Sequence, residues 1–285
     1  MRRVACVAIA LACAGIARAQ GTCVVVDRHD AVPSGRSLDD VKRDALHGAI
    51  AEAVRRVAGV RVQGTQSMSA SDSAGHAVTR YDEAIRLDAE GRATSWTVLR
   101  DGWKTAKGAS APVSYELSLR VCVERETGAA DPSFAVRLAT NAERLLVRSD
   151  TAARNDELVA RVTATRDASL TVVLIAGDSV FVLAPSAYLA APDARAGEAV
   201  EVPDASLRGA GLRFRAALPP GVAARDEIVA VIATRRPVPL PSRAGAGSAR
   251  DTGVLTLAEF NRWLVGIPLD LRAVAQAAVR VERAR

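Results

Sequence analysis

Aromatic residues and histidines are scarce in this chain of 285 residues. Only 4% of the residues are Phe, Trp or Tyr, and there are three histidines. Proteins that bind nucleic acid usually combine a basic stripe with aromatic side chains that stack on bases, so this composition gives no support to that function. His47 lies on a predicted helix and His29 and His76 lie in apparent loops, which argues against a shared zinc site. We therefore expect no metal ion and no other cofactor.

The sequence also lacks a recognisable set of catalytic residues. There is no Gly-x-Ser-x-Gly motif, and Ser179 ends residues 177–179, a Gly-Asp-Ser sequence typical of a hairpin turn. Asp226 and Glu227 are adjacent on a predicted strand, where neighbouring side chains point to opposite faces and do not form an acid–base pair. Residues 245–247 read Gly-Ala-Gly but lack the lysine of a phosphate-binding loop. We expect a protein that is not an enzyme, and a hydrolase is the least favoured alternative.

Long hydrophobic runs are absent except near the N-terminus. There, a basic start precedes an apolar run over residues 4–16, and Ala-Arg-Ala follows. These are the three parts of a secretory signal peptide, which we predict over residues 1–19 with cleavage between Ala19 and Gln20. The run is too short for a membrane-spanning helix. Lipidation at Cys13 and twin-arginine export remain as alternatives, and we expect the mature protein to be periplasmic or secreted.

Cysteine is also scarce, with four in the whole chain. Two of them belong to the predicted signal peptide, so the mature protein keeps Cys23 and Cys122. Both lie in strand-like runs, and a pair of cysteines in an oxidising compartment is typically bridged. We predict a disulfide between them; two buried free thiols are the alternative. The formal charge of +6 becomes smaller when the three arginines of the signal peptide are removed.

The first part of the mature chain, residues 20–125, predicts an α+β domain. Ser37 is a suitable N-cap with Asp40 three residues later, and apolar residues then recur at helical spacing over residues 41–57, before Gly59. Strand-like runs follow at residues 95–99 and 115–123, and Asp101-Gly102 is typical of a turn. A long helix on an antiparallel sheet is the expected arrangement. Trp96 and Trp103 flank the predicted turn, and we mark both for partner contact.

The second part of the chain predicts mainly β-structure. Residues 126–149 are interpreted as a linker and residues 150–240 as an all-β, sandwich-like domain, because short apolar runs alternate with turn signals. Residues 241–285 are interpreted as a flexible linker and a C-terminal helical segment. Thr256 caps a short helix over residues 257–265, and residues 271–281 form either a helix or a closing strand. Three aromatic residues fill the sandwich core or line a ligand pocket: Phe181, Tyr188 and Phe214.

Two regions resemble known bacterial families. Residues 158–234 resemble the domain of unknown function numbered 4384, and the residues that carry this resemblance are 180–185 (Val-Phe-Val-Leu-Ala-Pro), 196–198 (Ala-Gly-Glu), Pro203, 220–221 (Pro-Gly) and 227–234. In that family, Phe-Pro-Asn is usual where this chain has Leu-Ala-Pro-Ser. Residues 23–123 resemble the N-terminal domain of flagellar assembly protein T, through residues 44–54 of the helix, Gly59-Val60 and residues 115–117 (Tyr-Glu-Leu).

These resemblances imply a location in the cell envelope and a role in binding or assembly. Together with the export signal, they predict a noncatalytic envelope protein whose partners are other envelope proteins. The alternative is a periplasmic sensor that binds a small molecule or a glycan, and this alternative requires a pocket with convergent polar groups in the β domain.

Overall fold

The computed structural model describes residues 21–33, 35–58, 91–105, 113–149, 151–241 and 253–284. Four features of the sequence lie outside these ranges: the predicted signal peptide, His76, Gly59 and residues 245–247. The described chain forms an N-terminal unit, up to residue 125, and a second unit that contains the rest.

The N-terminal unit is a helix on a three-stranded antiparallel sheet, as predicted. The helix is α1 (Leu38–Ala58), and the strands are β1 (Thr22–Ala31), β2 (Gly91–Thr105) and β3 (Val113–Arg125). Their order in the sheet is β1-β3-β2, so β3 is central.

Helix α1 begins as its sequence predicts. The backbone N–H of Asp40 donates to the Ser37 hydroxyl over 3.1 Å, which satisfies one of the free N–H groups of the first turn. The apolar face of α1 then packs on every second residue of β3, because alternate side chains of a strand point to the same face. The buried residues at this contact include Ala45, Ala49, Ala53, Leu117, Leu119 and Val121.

Strand β2 differs from the prediction. Asp101-Gly102 does not form a turn, because β2 continues through both residues, which pair with Leu117 and Glu116 of β3. The register is irregular between Ala93 and Ser95 and between Val98 and Arg100, so Thr94 and Leu99 have no directly opposite residue in β3. The turn prediction was wrong because pairing along the full length of a neighbouring strand outweighs a local preference. Trp96 and Trp103 therefore lie on one strand.

The second unit is a β-sandwich with two short α-helices. Its helices are α2 (Ala205–Gly209) and α3 (Leu257–Val265). Its strands are β4 (Val136–Thr140), β5 (Arg144–Val147), β6 (Glu157–Leu158), β7 (Ala160–Ala164), β8 (Ala168–Ala176), β9 (Ser179–Ala184), β10 (Asp193–Ala194), β11 (Ala199–Val202), β12 (Phe214–Arg215), β13 (Ala224–Thr234), β14 (Val254–Thr256) and β15 (Arg272–Arg283).

The main sheet of this unit is buried on both faces. Its order is β14-β9-β8-β13-β15-β5, with β10 on the end of β8, and a second sheet has the order β11-β7-β4. One face of β8 and β13 packs with the second sheet through residues such as Val172 and Val231. The opposite face packs on α3 through residues such as Ile175 and Ile232. Burial on both faces explains why β8 and residues 228–233 of β13 are mainly apolar rather than alternating.

Residues 126–149, interpreted as a linker, contain two strands of the sandwich. Strand β4 pairs with β7, and β5 pairs in parallel with β15. Phe134, Leu145 and Val147 are buried in the sandwich core. Strands this short have a weak sequence pattern, and their place is determined by partners far along the chain.

The C-terminal residues complete the main sheet rather than following it as a separate segment. The predicted cap of α3 is present as a full capping box, in which Thr256 accepts from the backbone N–H of Glu259 and the Glu259 carboxylate accepts from that of Thr256. Residues 271–281, for which a helix and a strand were both open, belong mainly to β15. This strand pairs with β13 from Arg272 to Glu282.

Among the helices of the described residues, none is long and apolar enough to cross a membrane.

Candidate interaction site on strand β2

The predicted disulfide is formed. Cys23 of β1 and Cys122 of β3 are directly opposite each other in the sheet, and their sulfur atoms are bonded. The alternate residues of β3, Val121 and Val123, face α1, so the disulfide lies on the face of the sheet that points away from the helix.

Trp96 connects the two units of the chain. Its half-buried side chain packs against the core between α1 and the first sheet and also against the core between α3 and the main sheet. It therefore contacts the chain's own second unit. Of the two tryptophans marked for partner contact, Trp103 therefore remains the candidate for binding a partner.

Trp103 is held on an exposed part of β2 by Tyr115. The two residues are opposite each other on β2 and β3, and their ring centroids are 4.6 Å apart. Tyr115 is almost fully buried, and its hydroxyl donates to Asp101 Oδ2 over 3.0 Å. The Trp103 ring thus has a fixed support while its other side faces solvent.

Asp101 receives a second bond from helix α1. Lys42 Nζ is 3.0 Å from Asp101 Oδ2. The hydrogen bond from Lys42, followed by that from Tyr115, holds the pKa of Asp101 below its usual value, and burial together with Asp101 raises the pKa of Tyr115. Asp101 is therefore ionised and Tyr115 neutral at neutral pH, as these hydrogen bonds require. The bonds fix the first turns of α1 beside the middle of β2.

Three apolar side chains on the same strand as Asp101 are exposed. Val98, Leu99 and Trp103 are 49%, 48% and 40% exposed, and we call these three residues the β2 patch. Leu38, also exposed, is one helical turn before Lys42 on α1. Large apolar side chains that are exposed together are typical of an interaction surface.

The patch lies on a strand that has one edge without a partner strand among the described residues, and we call this edge the free edge of β2. In the sheet, β2 has β3 on one side, and within the described ranges no strand pairs with its other side. Helix α3 covers the beginning of this edge, because Asn261 Nδ2 donates to the carbonyl of Ala93 and Arg262 Nη2 to that of Thr94, over 3.0 and 2.9 Å. The edge beyond Trp96 has no such cover from a described residue. A free strand edge is a surface on which another strand can pair.

A buried ionic cluster fixes β2 to the second unit. Arg92 Nε, at the start of β2, is 2.7 Å from Glu126 Oε1, and the same carboxylate binds Arg272 at the start of β15. Arg272 also donates to the carbonyls of Leu264 and Ile267 at the end of α3. Burial lowers the pKa of Arg272 to about 10, so it remains charged at neutral pH. These contacts connect β2, which carries the patch, to the second unit.

The aromatic residues considered for a ligand pocket do not come together in one. Phe214 packs against the sandwich core, whereas Phe181 and Tyr188 are 37% and 83% exposed. The core interpretation was correct for Phe214 and wrong for the other two. Phe181 lies on β9, next to the short edge strand β14, and Tyr188 lies in the loop after β9, where few atoms cover them.

An open cleft of about 360 Å³ lies elsewhere in the second unit, lined by Asn141, Ala142, Leu145, Asn155, Asp156 and Glu157. Its polar side chains already have partners within the protein. Asn141 bonds the backbone of Glu157 and Val159, Asp156 bonds Leu146 and Arg148, and Glu157 binds Arg213. The cleft therefore gives no support to a small-molecule sensor. In the described part of the chain, no three His, Cys, Asp or Glu side chains are close enough to hold a metal ion.

Comparison with known proteins adds no further information about the site. No family model, no curated protein and no solved structure matches the chain. The two family resemblances stay predictions, and the candidate site depends on geometry alone. Sequence reasoning found Trp103 but missed Val98 and Leu99, although two adjacent apolar residues in an alternating strand are a detectable signal of a register irregularity.

Proposed function

We propose that this chain is a noncatalytic protein of the cell envelope that acts by binding another protein through the β2 patch. Residues 1–19 are the export signal in this proposal, and the mature protein is periplasmic or secreted. The disulfide between Cys23 and Cys122 is consistent with an oxidising compartment.

One observation carries the proposal: the β2 patch combines exposed apolar side chains with a free strand edge. Val98, Leu99 and Trp103 are each two-fifths or more exposed, and Trp103 is supported from behind by Tyr115. Aromatic side chains that are both exposed and immobilised are frequent anchors of protein interfaces, because little conformational entropy is lost when they are covered.

Site-specific photo-crosslinking tests this proposal. A photoreactive amino acid replaces Val98 in the full-length chain, which is then expressed in cells that export it. We expect a discrete adduct with a second protein after illumination, and mass spectrometry identifies whether the adduct contains another protein or a second copy of this chain.

The matched control is the same photoreactive residue at Tyr188. This position is more exposed than Val98 but belongs to the second unit. We expect no discrete adduct there. The proposal fails if position 98 gives no adduct, or if position 188 gives the same adducts as position 98.

A further inference from the structure

The free edge of β2 presents two different faces to an incoming strand. Val98 and Trp103 are opposite Leu119 and Tyr115, so they lie on the side of the sheet that carries α1. Thr97, Arg100 and Lys104 are opposite Arg120, Ser118 and Ser114, so they lie on the other side. An added strand therefore meets apolar side chains on one face and a mainly cationic row on the other.

The cationic row is only partly neutralised. Lys104 Nζ is 2.7 Å from Glu116 Oε1, so one positive charge of the row is paired with a carboxylate. Arg100 and Arg120 are exposed, and neither forms an ion pair with another described residue. The acid on the opposite face, Asp101, is already bound by Lys42 and Tyr115. A neighbouring strand therefore meets positive charge on the face of β2 that points away from α1, which we call the outer face.

This charge distribution disfavours a second copy of the chain as the occupant. When two β2 edges pair around a two-fold axis at Gly102, in the middle of the uncovered edge, Arg100 faces Lys104 of the other copy, and like charges across neighbouring strands are destabilising. The complementary strand has acidic side chains on the outer face and apolar side chains on the α1 face.

We infer that β2 binds an extended segment of its partner in which apolar and acidic residues alternate, added as a new strand at the free edge. This inference rests on the proposed function and specifies the chemistry of the partner. Main-chain hydrogen bonds provide the pairing, and the alternation determines which segments fit. The apolar residues of the segment cover Val98 and Trp103, and its carboxylates lie beside Arg100 and Lys104.

Three synthetic octapeptides test the inference with the mature protein. One alternates Val and Glu, one alternates Val and Lys, and one has four Val followed by four Glu. Affinity is measured by titration calorimetry, and hydrogen exchange identifies the amides that become protected. We expect the alternating Val-Glu peptide to bind more tightly than both others and to protect amides of β2 between Trp96 and Thr105.

Charge reversal at Arg100 provides the specific control. Arg100→Glu is expected to weaken the alternating Val-Glu peptide about tenfold and to strengthen the Val-Lys peptide. Arg195→Glu, a matched reversal at an exposed arginine of the second unit, is expected to change neither. Circular dichroism confirms that both variants are folded.

Two results overturn the inference. The first is equal affinity for the three peptides, or an affinity that Arg100→Glu leaves unchanged. The second is that the amides at the free edge of β2 are already protected from hydrogen exchange in the protein without peptide, because the edge is then already occupied. If position 98 still gives a crosslinked partner in either case, the proposed function stands and only the chemistry of the segment is wrong.

Discussion

At the scale of single residues, His47 couples the stability of this protein to pH. It lies on the buried side of α1 and is 7% exposed. Burial lowers its pKa below 6.5; Asp178, in the turn between β8 and β9, opposes this shift, as does Asp44, whereas Arg43 reinforces it. The charged form is therefore disfavoured in the folded protein. Below pH 6.5 the unfolded chain binds a proton that the folded chain does not, so the free energy of unfolding falls as the pH falls.

We predict that His47→Gln flattens this dependence. Urea denaturation of the wild type is expected to show a loss of stability as the pH falls from about 6.5, through the range in which the unfolded histidine becomes protonated. The variant is expected to lose less over the same range. The difference at pH 8, where both states of the histidine are neutral, measures the packing cost of the substitution and is subtracted. Parallel curves for the two proteins contradict the assignment.

At the scale of elements, the disulfide fastens the first strand of the described chain to the centre of its sheet. Cys23 and Cys122 are separated by 99 positions in the sequence. A bridge across a loop of this size restricts the unfolded chain, and the entropy model assigns it about 4–5 kcal/mol. Strand β1 is an edge strand held by β3 and by α1, so its attachment is the one most affected by loss of the bridge.

We predict that reduction lowers the free energy of unfolding by about 2–5 kcal/mol. The measurement is urea denaturation with and without a reducing agent. The double variant Cys23→Ala, Cys122→Ala is expected to behave like the reduced wild type and to be insensitive to the reductant. Equal midpoints for the oxidised and reduced wild type refute this prediction.

At the scale of the whole molecule, the cluster of Arg92, Glu126 and Arg272 holds the two units together. The Arg272 side chain is 2% exposed and that of Glu126 is 7% exposed, so solvent screens their interaction little. Each residue belongs to a different part of the chain: Arg92 to the start of β2, Glu126 to the position directly after β3, and Arg272 to the start of β15. The orientation of the β2 patch relative to the second unit depends on this cluster and on the bonds from α3.

We predict that Glu126→Gln destabilises the protein by about 3–5 kcal/mol, because it preserves the shape of the side chain but leaves Arg272 buried without a counter-charge. The control is Glu201→Gln, which breaks an ion pair with Arg208 at a carboxylate that is 42% exposed; we expect about 1 kcal/mol or less. The free energies come from urea denaturation followed by circular dichroism. If both variants lose a similar free energy of unfolding, the buried cluster contributes no more than an exposed ion pair. That result contradicts its role in holding the two units together.

The sequence by itself determined the features that depend on neighbouring residues. The caps at Ser37 and Thr256 involve partners three residues away, and the hairpin between β8 and β9 needs only a short turn between apolar runs. The disulfide was predictable because only two cysteines lie outside the predicted signal peptide. The α+β unit followed by a β-sandwich was predicted for the same reason, since periodicity is a local property.

Only the tertiary structure decided the features that depend on distant partners. Strand β2 continues through Asp101-Gly102 because β3 pairs with it, and residues 126–149 contain strands because β7 and β15 receive them. The candidate site belongs to this second group. Whether Val98 and Trp103 are core or surface depends on which side of β2 the sheet ends and on how far α1 and α3 cover it, and no pattern within β2 contains that information.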